Sequence, residues 1–390
     1  MAEHKRQHYV PKLYLRNFTV DGKLLSIYNV SQKEMISQVP YETQCYKDYY
    51  YGKDKLWEKE LGALETKWGV VFQRVLANNL LSNDDIYAIK QFALYQLQRT
   101  VALNDYLLHQ REEFLCEYGR LLYKRNGLAF DSDAANYCKE RAKNECSPAE
   151  TLALADKYMP LVQDLELTII TYNTNQNLIS SDVPVIAINP FHQPSTGYGC
   201  MGLIILFPIS SNRLVVLYDA KMYPKNKGQQ YIDCFDENEV SNLNVLQLIS
   251  ADKILIAKTE LSYSFISDFA LEARDKNRNQ NTMAFLGTDE NKLMISEPRK
   301  VIYKCSFSFG GVCHRFKRIP FVCKEAPPRM WDSEWEKKLD MKEQILPTII
   351  ASSPNLFSEY GLSKKEIRRG CQRMATAAKV YWAQERLHGE

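Results

Sequence analysis

The chain has 390 residues, of which 45% are hydrophobic and 25% are charged, and its formal net charge is +3. A chain of this length and composition can bury a sizeable core, which excludes an intrinsically disordered protein. The small net charge neither requires nor excludes a nucleic-acid partner, because local patches of charge decide such binding.

The sequence contains no recognisable export or membrane signal. The first eight residues are charged and polar, without the apolar run of a signal peptide. The longest apolar run, from Gly202 to Ile209, is too short to cross a bilayer, which takes ~20 residues. We therefore expect a cytoplasmic protein without a membrane-spanning segment.

The N-terminal part of the chain predicts a small sheet followed by a helical lobe. Two strand patterns, Lys23–Val30 and Glu34–Val39, flank a polar turn within residues 1–53. From about residue 54 to 173 apolar residues recur every three or four positions, which predicts helices. Ser82 and Ser147 each stand where an N-cap is expected.

Beyond the lobe the period changes to that of strands. Gly202–Ile209 and Arg213–Tyr218 predict a hairpin, and helices are predicted to follow it. Strands and helices alternate in blocks, which favours an α+β fold whose antiparallel or mixed sheet combines N-terminal and central-to-C-terminal strands. We predict four units: residues 1–53, the helical lobe 54–175, a mixed sheet with helices 176–330, and a helical tail 331–390.

The common nucleotide-binding, metalloprotease and hydrolase motifs are absent from the sequence. The ten cysteines form no CxxC pair, which is typical of reduced thiols. The richest group is Cys305, Cys313, His314 and Cys323. Its spacing lacks the short gap of a zinc knuckle, so reduced strand cysteines and a metal site both remain open.

Glu65 and Arg99 are polar residues at positions where the helical pattern predicts burial. Glu65 lies among Leu61, Leu64 and Trp68 on the apolar stripe of its helix. A carboxylate there needs a cation, a hydrogen-bond donor or a metal, and Arg99 at the end of the next helix is a plausible partner. The pair is either a purely structural ion pair or part of a site in which Arg99 holds an anionic group.

His8 and Asp182 complete the candidate set. His8 lies among aromatic and apolar residues, so it is either an ordered surface residue or an acid, base or ligand. Asp182 follows a strand and precedes a proline-fixed segment. Asp182 either caps a local turn or projects into a site at the end of its strand.

The tail carries a run of basic residues that predicts either a nucleic-acid contact or a solvated helix face. These residues are Lys364, Lys365, Arg368, Arg369 and Arg373.

The run from His8 to Phe18 resembles the HYVPxFYLRxF signature of DUF4238, an uncharacterised and mainly bacterial family. Later segments resemble further landmarks of that family over roughly residues 7–260, and Val183 stands where the family more often has Asn. These landmarks are the helix with Glu58 and Glu65, Gln98-Arg99-Thr100, Ser181-Asp182-Val183-Pro184, Phe207-Pro208 and Leu243-Asn244. The resemblance implies a set of site residues but no activity.

Two functions follow from these residues as hypotheses. In the first, the protein is a hydrolase of phosphodiesters, nuclease-like and acting in bacterial defence, with His8 as acid or base and Arg99 stabilising charge on phosphorus. Glu65 and Asp182 would then hold a divalent metal ion or orient water. In the second, the protein is a binding or sensing component, and the same four residues form a buried ion-pair network without catalysis.

Overall fold

The fold is known from a computed structural model. It describes residues 5–53, 56–189, 197–223, 229–261, 266–278, 283–286, 293–296 and residue 329. The cysteine and histidine group between residues 305 and 323 and the basic tail lie outside the described residues, as does the whole unit predicted at 331–390.

The helices are concentrated in the first half of the chain. The α-helices are α1 (Lys12–Leu15), α2 (Leu56–Leu76), α3 (Asn83–Gln98), α4 (Val101–Arg125), α5 (Ser132–Glu145), α6 (Pro148–Leu152), α7 (Leu154–Tyr158), α8 (Glu237–Ser250) and α9 (Asp268–Arg278). Short 3-10 turns span Arg16–Phe18, Tyr41–Thr43 and Met159–Leu161. None of the helices that the structure describes combines the length and apolar character needed to cross a membrane.

The strands come from both ends of the described chain. They are β1 (Arg6–His8), β2 (Leu24–Asn29), β3 (Glu34–Pro40), β4 (Tyr46–Asp48), β5 (Glu166–Tyr172), β6 (Ser180–Ser181), β7 (Ile186–Ile188), β8 (Ile204–Ser210), β9 (Arg213–Tyr218), β10 (Tyr231–Cys234), β11 (Ile254–Ala257), β12 (Met283–Leu286) and β13 (Leu293–Ser296).

Two larger sheets confirm the α+β class. One is five-stranded in the order β10-β5-β9-β8-β7, with β10 parallel to β5 and the other neighbours antiparallel. The other is four-stranded in the order β3-β2-β11-β6 and antiparallel throughout. The second sheet joins N-terminal strands to strands more than 150 residues away, as predicted. Two-stranded pairs β1-β4 and β12-β13 lie apart from both larger sheets.

The helical lobe ends earlier than predicted. Its last turn closes at Leu161, and β5 begins at Glu166 inside the segment that we expected to be helical. The β-branched run from Thr168 to Thr171 explains this, because such side chains favour strands. α5 lies within the segment predicted to be helical, although its bounds were not predicted. Ser82 does cap α3, in a reciprocal capping box with Asp85.

Phe92 is the centre of the core that joins the lobe to the sheet. Its ring centroid lies 4.8 Å from that of Phe72 on α2, 5.2 Å from Phe207 on β8 and 5.8 Å from Tyr14 on α1. One hydrophobic cluster contains these residues, and so it spans the first three predicted units. The boundaries between the predicted units remain predictions. The packing fixes α1, α2 and α3 against one another, and these helices frame the candidate site.

Candidate functional site

His8 ends strand β1 and pairs with Tyr46 on β4. Its Nε2 lies 3.0 Å from the backbone oxygen of Glu42, so Nε2 carries the proton and Nδ1 is an acceptor. Burial lowers the pKa of His8 to about 4, with the charges of Lys12 and Arg99 acting in the same direction and the bond to Glu42 opposing them. At neutral pH the imidazole is therefore uncharged.

Arg99 closes the C-terminal end of α3 and is wholly buried. Its Nε donates to Oε1 of Gln96 at 2.7 Å, and its Nη1 donates to Oε1 of Glu65 on α2 at 3.1 Å. The guanidinium carbon lies 5.9 Å from the ring centroid of Trp68. The Glu65 side chain is 27% exposed, so the pair meets solvent at its carboxylate end. The ion pair predicted between the two helices is present.

Two contacts tie Arg99 to the histidine segment. Gln96, which accepts from Arg99, donates through Nε2 to the backbone oxygen of Tyr9 at 2.9 Å. The Tyr51 hydroxyl donates to the backbone oxygen of His8 at 3.4 Å. Burial raises the pKa of Tyr51, and the nearby charge of Arg99 opposes that rise. We call Arg99, Gln96, Glu65, Tyr51 and Trp68 the Arg99 cluster.

The Arg99 cluster contains polar atoms that have no partner. Arg99 Nη2 and Trp68 Nε1 are buried and lack an acceptor at hydrogen-bonding geometry among the described residues, and the buried Tyr50 hydroxyl also lacks a partner among them. The Tyr50 ring centroid lies 4.9 Å from that of Tyr51, and Arg99 acts electrostatically on both hydroxyls. Each unpaired buried donor costs about 1–3 kcal/mol, so this region favours an added acceptor, either water or an anion.

Asp182 is equally buried but its contacts are of another kind. One carboxylate oxygen accepts from the backbone N–H of Asp252 at 2.8 Å and the other from that of Lys253 at 2.7 Å. Its own N–H donates to the backbone oxygen of Ile254 at 3.2 Å. Asp182 thus holds the turn that leads into β11. Its charge also contributes to the raised pKa of Tyr9, for which burial is the main cause.

Residues next to Asp182 form hydrogen bonds that connect α8 to β6 and to the segment before it. Ser181 Oγ donates to Oε1 of Gln247 at 2.9 Å, and the N–H of Ile179 donates to Oδ1 of Asn244 at 3.0 Å. We call Asp182, Ser181, Asn244 and Gln247 the Asp182 network. Its bonds join strand ends to a helix, which explains why these polar residues are buried.

The structure therefore pairs Arg99 with Glu65 and lets Arg99 act electrostatically on His8, whereas Asp182 bonds to the turn before β11 and acts electrostatically on Tyr9 and Cys45. Within the described ranges, no group of three or more His, Cys, Asp or Glu side chains is arranged to hold a metal ion. The carboxylates of Glu65 and Asp182 both accept from protein donors. The metal role predicted for Glu65 and Asp182 stays a prediction.

Sequence reasoning missed several residues of this site. Tyr50, Tyr51 and Gln96 were not predicted to take part, and Trp68 was assigned to the core alone. The available signals were a run of three tyrosines at residues 49–51 and a glutamine inside an apolar helix.

A family model with the description "Protein of unknown function (DUF4238)" matches residues 6–260. This range agrees with the extent of the resemblance seen in the sequence, and it contains both the Arg99 cluster and the Asp182 network. No curated protein and no solved structure matches the chain significantly.

Proposed function

We propose a function for this chain, which belongs to the DUF4238 family: it hydrolyses phosphodiester bonds at a site formed by His8 and the Arg99 cluster. The observation that supports the proposal is a set of buried donors without acceptors among the described residues, connected through Gln96 and Tyr51 to the segment of a histidine whose Nδ1 is an acceptor. Hydrolysis of a phosphodiester needs both of these, a base for water and donors for the phosphate oxygens.

In the proposed reaction, His8 Nδ1 removes a proton from a water molecule as the water oxygen attacks phosphorus. The bond to the leaving oxygen breaks, and that oxygen departs with the electron pair and takes a proton from solvent. Because Nε2–H is fixed on the backbone oxygen of Glu42, the imidazole has a defined tautomer and orientation.

The Arg99 cluster supplies hydrogen bonds more than net charge, because Glu65 already neutralises Arg99. Phosphate oxygens accept from Arg99 Nη2 and from the neighbouring Tyr50 and Trp68 donors, approaching from the side where Glu65 meets solvent. An incoming phosphate also offsets the positive charges that lower the pKa of His8, which strengthens it as a base when substrate is bound.

The test is hydrolysis of bis(4-nitrophenyl) phosphate and of single-stranded RNA and DNA, with and without Mg²⁺ or Mn²⁺. We expect His8→Gln to lose at least about 100-fold in rate, the scale of general base catalysis. The matched control is His109→Gln, since His109 is an exposed histidine on α4. A wild-type protein without activity, or a His8→Gln variant with the wild-type rate, would refute the proposal.

A second candidate is a binding or sensing protein without catalysis. The observation that favours it is the complete burial of Arg99 in its pair with Glu65, an arrangement that also serves structure alone. Under this reading ligand binding persists while no substrate is turned over. A place in bacterial defence remains a prediction under either candidate.

A further inference from the structure

An exposed group of cations and tyrosines surrounds the short β1-β4 sheet that carries His8. Arg6 and His8 are two residues apart on β1, so they project from the same face. The Arg6 guanidinium carbon lies 4.9 Å from the ring centroid of Tyr46, and the His8 ring lies 5.7 Å from the same ring on β4. This row of side chains leads directly from the proposed general base to the surface.

Further cations and tyrosines lie on β4 and in the segment after it, where Lys47, paired with Gln7 on β1, projects from the opposite face of this two-stranded sheet. Lys47 Nζ lies 5.7 Å from the ring centroid of Tyr50, and Lys53 Nζ lies 5.6 Å from that of Tyr49. Tyr49 is 43% exposed. We call Arg6, Tyr46, Lys47, Tyr49 and Lys53 the basic-aromatic surface.

Within the part of the chain that the structure describes, no carboxylate neutralises the cations of the basic-aromatic surface. The carboxylate of Asp48 pairs with Lys5 at 3.0 Å. Arg6, Lys47 and Lys53 form no ion pair with any carboxylate of the described residues. Three uncompensated cations over a short stretch attract a polyanion.

The backbone at both ends of β4 is strained. Cys45 has φ 54° and Tyr49 has φ 52°, in the left-handed region that bulky residues rarely adopt. The N–H of Tyr49 donates to the backbone oxygen of Lys5 at 2.8 Å, which holds this conformation. This backbone conformation keeps the Tyr49 ring at the surface, where 43% of the residue is exposed.

Resting on the proposed function, we infer that the basic-aromatic surface binds single-stranded nucleic acid and delivers its phosphodiester backbone to His8. The cations on β1, on β4 and in the segment after β4 contact successive phosphates, and an exposed tyrosine ring offers a face on which an unpaired base stacks. A duplex hides its base faces, so the Tyr49 ring favours single strands. An acidic protein would use the cations but not the ring.

The experiment measures binding by fluorescence anisotropy in the inactive His8→Gln background, so that turnover does not consume the probe. The probes are fluorescent oligothymidylate and oligouridylate of about 20 nucleotides, enough to span a typical single-strand site, and a duplex of equal length. Comparison of the two single strands distinguishes DNA from RNA. An acidic peptide serves as competitor.

We expect Lys47→Ala with Lys53→Ala to weaken single-strand binding by about tenfold or more and to reduce the salt slope by about 1.4, the value for two lost phosphate contacts. Lys139→Ala with Lys157→Ala removes two exposed lysines from the helical lobe and is the matched control. Tyr49→Asn removes the ring but tolerates the left-handed backbone, and we expect a loss of about tenfold in affinity for single strands.

Three results would overturn the inference: no binding of either single strand, equal loss in the control pair, or tighter binding of duplex or acidic peptide. A failure of the proposed function would give results different from a failure of this inference. If single strands bind but the protein with an intact His8 hydrolyses nothing, the surface assignment stands and the hydrolase proposal falls. If bis(4-nitrophenyl) phosphate is hydrolysed but no single strand binds, the hydrolase proposal stands and the assignment of the surface is wrong.

Discussion

The Arg99 cluster and the Asp182 network are two buried polar regions of this chain, built from similar residue types but satisfied to different degrees. In the Asp182 network each carboxylate oxygen has a backbone donor, and the serine and amide side chains find partners across strand and helix. In the Arg99 cluster, donors of Arg99 and Trp68 have no acceptor among the described residues. A satisfied polar network stabilises a fold, whereas unpaired buried donors favour an added acceptor, which water or a ligand can supply.

The largest expected effect concerns Asp182, whose removal leaves two backbone N–H groups without their charged acceptor. Hydrogen bonds to charged groups contribute about 1.5–3 kcal/mol each, so Asp182→Ala should lower the free energy of unfolding by roughly 3–5 kcal/mol. Urea denaturation measures this. Asp233→Ala is the control, because Asp233 is exposed and bonds only at the surface.

The milder Asp182→Asn variant separates stability from activity. It keeps one acceptor oxygen, so the protein should remain folded and retain its rate of hydrolysis. A folded Asp182→Asn protein without activity would place Asp182 in the catalytic site. It would contradict the assignment of a structural role to the Asp182 network and of a catalytic role to the Arg99 cluster.

The second effect is an asymmetry inside the Arg99 cluster. Glu65→Gln leaves the charge of a wholly buried Arg99 without its counter-ion, and we expect a loss of roughly 2–3 kcal/mol. Arg99→Met leaves a carboxylate that water can reach and removes an unpaired donor, so its cost should be smaller, about 1–2 kcal/mol, arising mainly from the buried Gln96 Oε1 that loses its donor.

Urea denaturation of both variants measures this asymmetry. Glu60→Gln, at an exposed position of the same helix, is the control for Glu65→Gln. A larger cost for Arg99→Met than for Glu65→Gln would contradict the assignment of Arg99 as the incompletely satisfied partner.

The third effect is a pH dependence that arises from His8. Its pKa is lowered from 6.5 to about 4 on folding, so the unfolded chain binds the proton more tightly. The stability that depends on the neutral ring is complete above pH 6.5 and is lost as pH falls towards 4. Between pH 7 and pH 5 we expect a loss of about 1 kcal/mol after allowance for solvent around the ring.

Unfolding of the wild type and of His8→Gln at both pH values isolates this contribution, because the other titrating groups are common to the two proteins. The difference in free energy between the two proteins should change by that amount. An unchanged difference would mean that His8 titrates as an ordinary exposed histidine.

The smallest effect is expected at Tyr51. Its hydroxyl donates to the backbone oxygen of His8 at 3.4 Å, which is a long bond. Tyr51→Phe should therefore change the free energy of unfolding by less than about 1 kcal/mol. Because the hydroxyl lies between Arg99 and His8, we expect a shift in the pH profile of hydrolysis. A stability loss like that of Asp182→Ala would show that Tyr51 belongs to a structural network.

Sequence alone predicted the elements that local signals define. The cap at Ser82 and the hairpin of β8 and β9 lie where the residue pattern places them. It also identified Glu65 and Arg99 as partners, because a carboxylate on an apolar stripe requires a cation. Local signals failed where distant pairing decides, as at β5, whose paired residues on β9 and β10 lie 42–62 residues further along the chain.

Distant contacts also decide which of the candidate residues have a structural role, and sequence alone could not predict those contacts. A buried aspartate reads identically in sequence whether it accepts from backbone or from a ligand. Only the turn at Asp252 and Lys253, about 70 residues from Asp182, supplies the donors that give it a structural role. The tyrosines at residues 50 and 51 join the site through a loop, where no periodicity marks them.

The most direct test of the unsatisfied Arg99 cluster is the nuclear magnetic resonance signal of the Trp68 indole N–H in ¹⁵N-labelled protein during titration with inorganic phosphate. Trp68→Phe identifies the resonance. We predict a saturable downfield shift as the phosphate oxygen accepts from the cluster, and the loss of that shift in Arg99→Met. A resonance that stays in place throughout the titration, or that shifts equally in Arg99→Met, would contradict the claim that this region binds an anion.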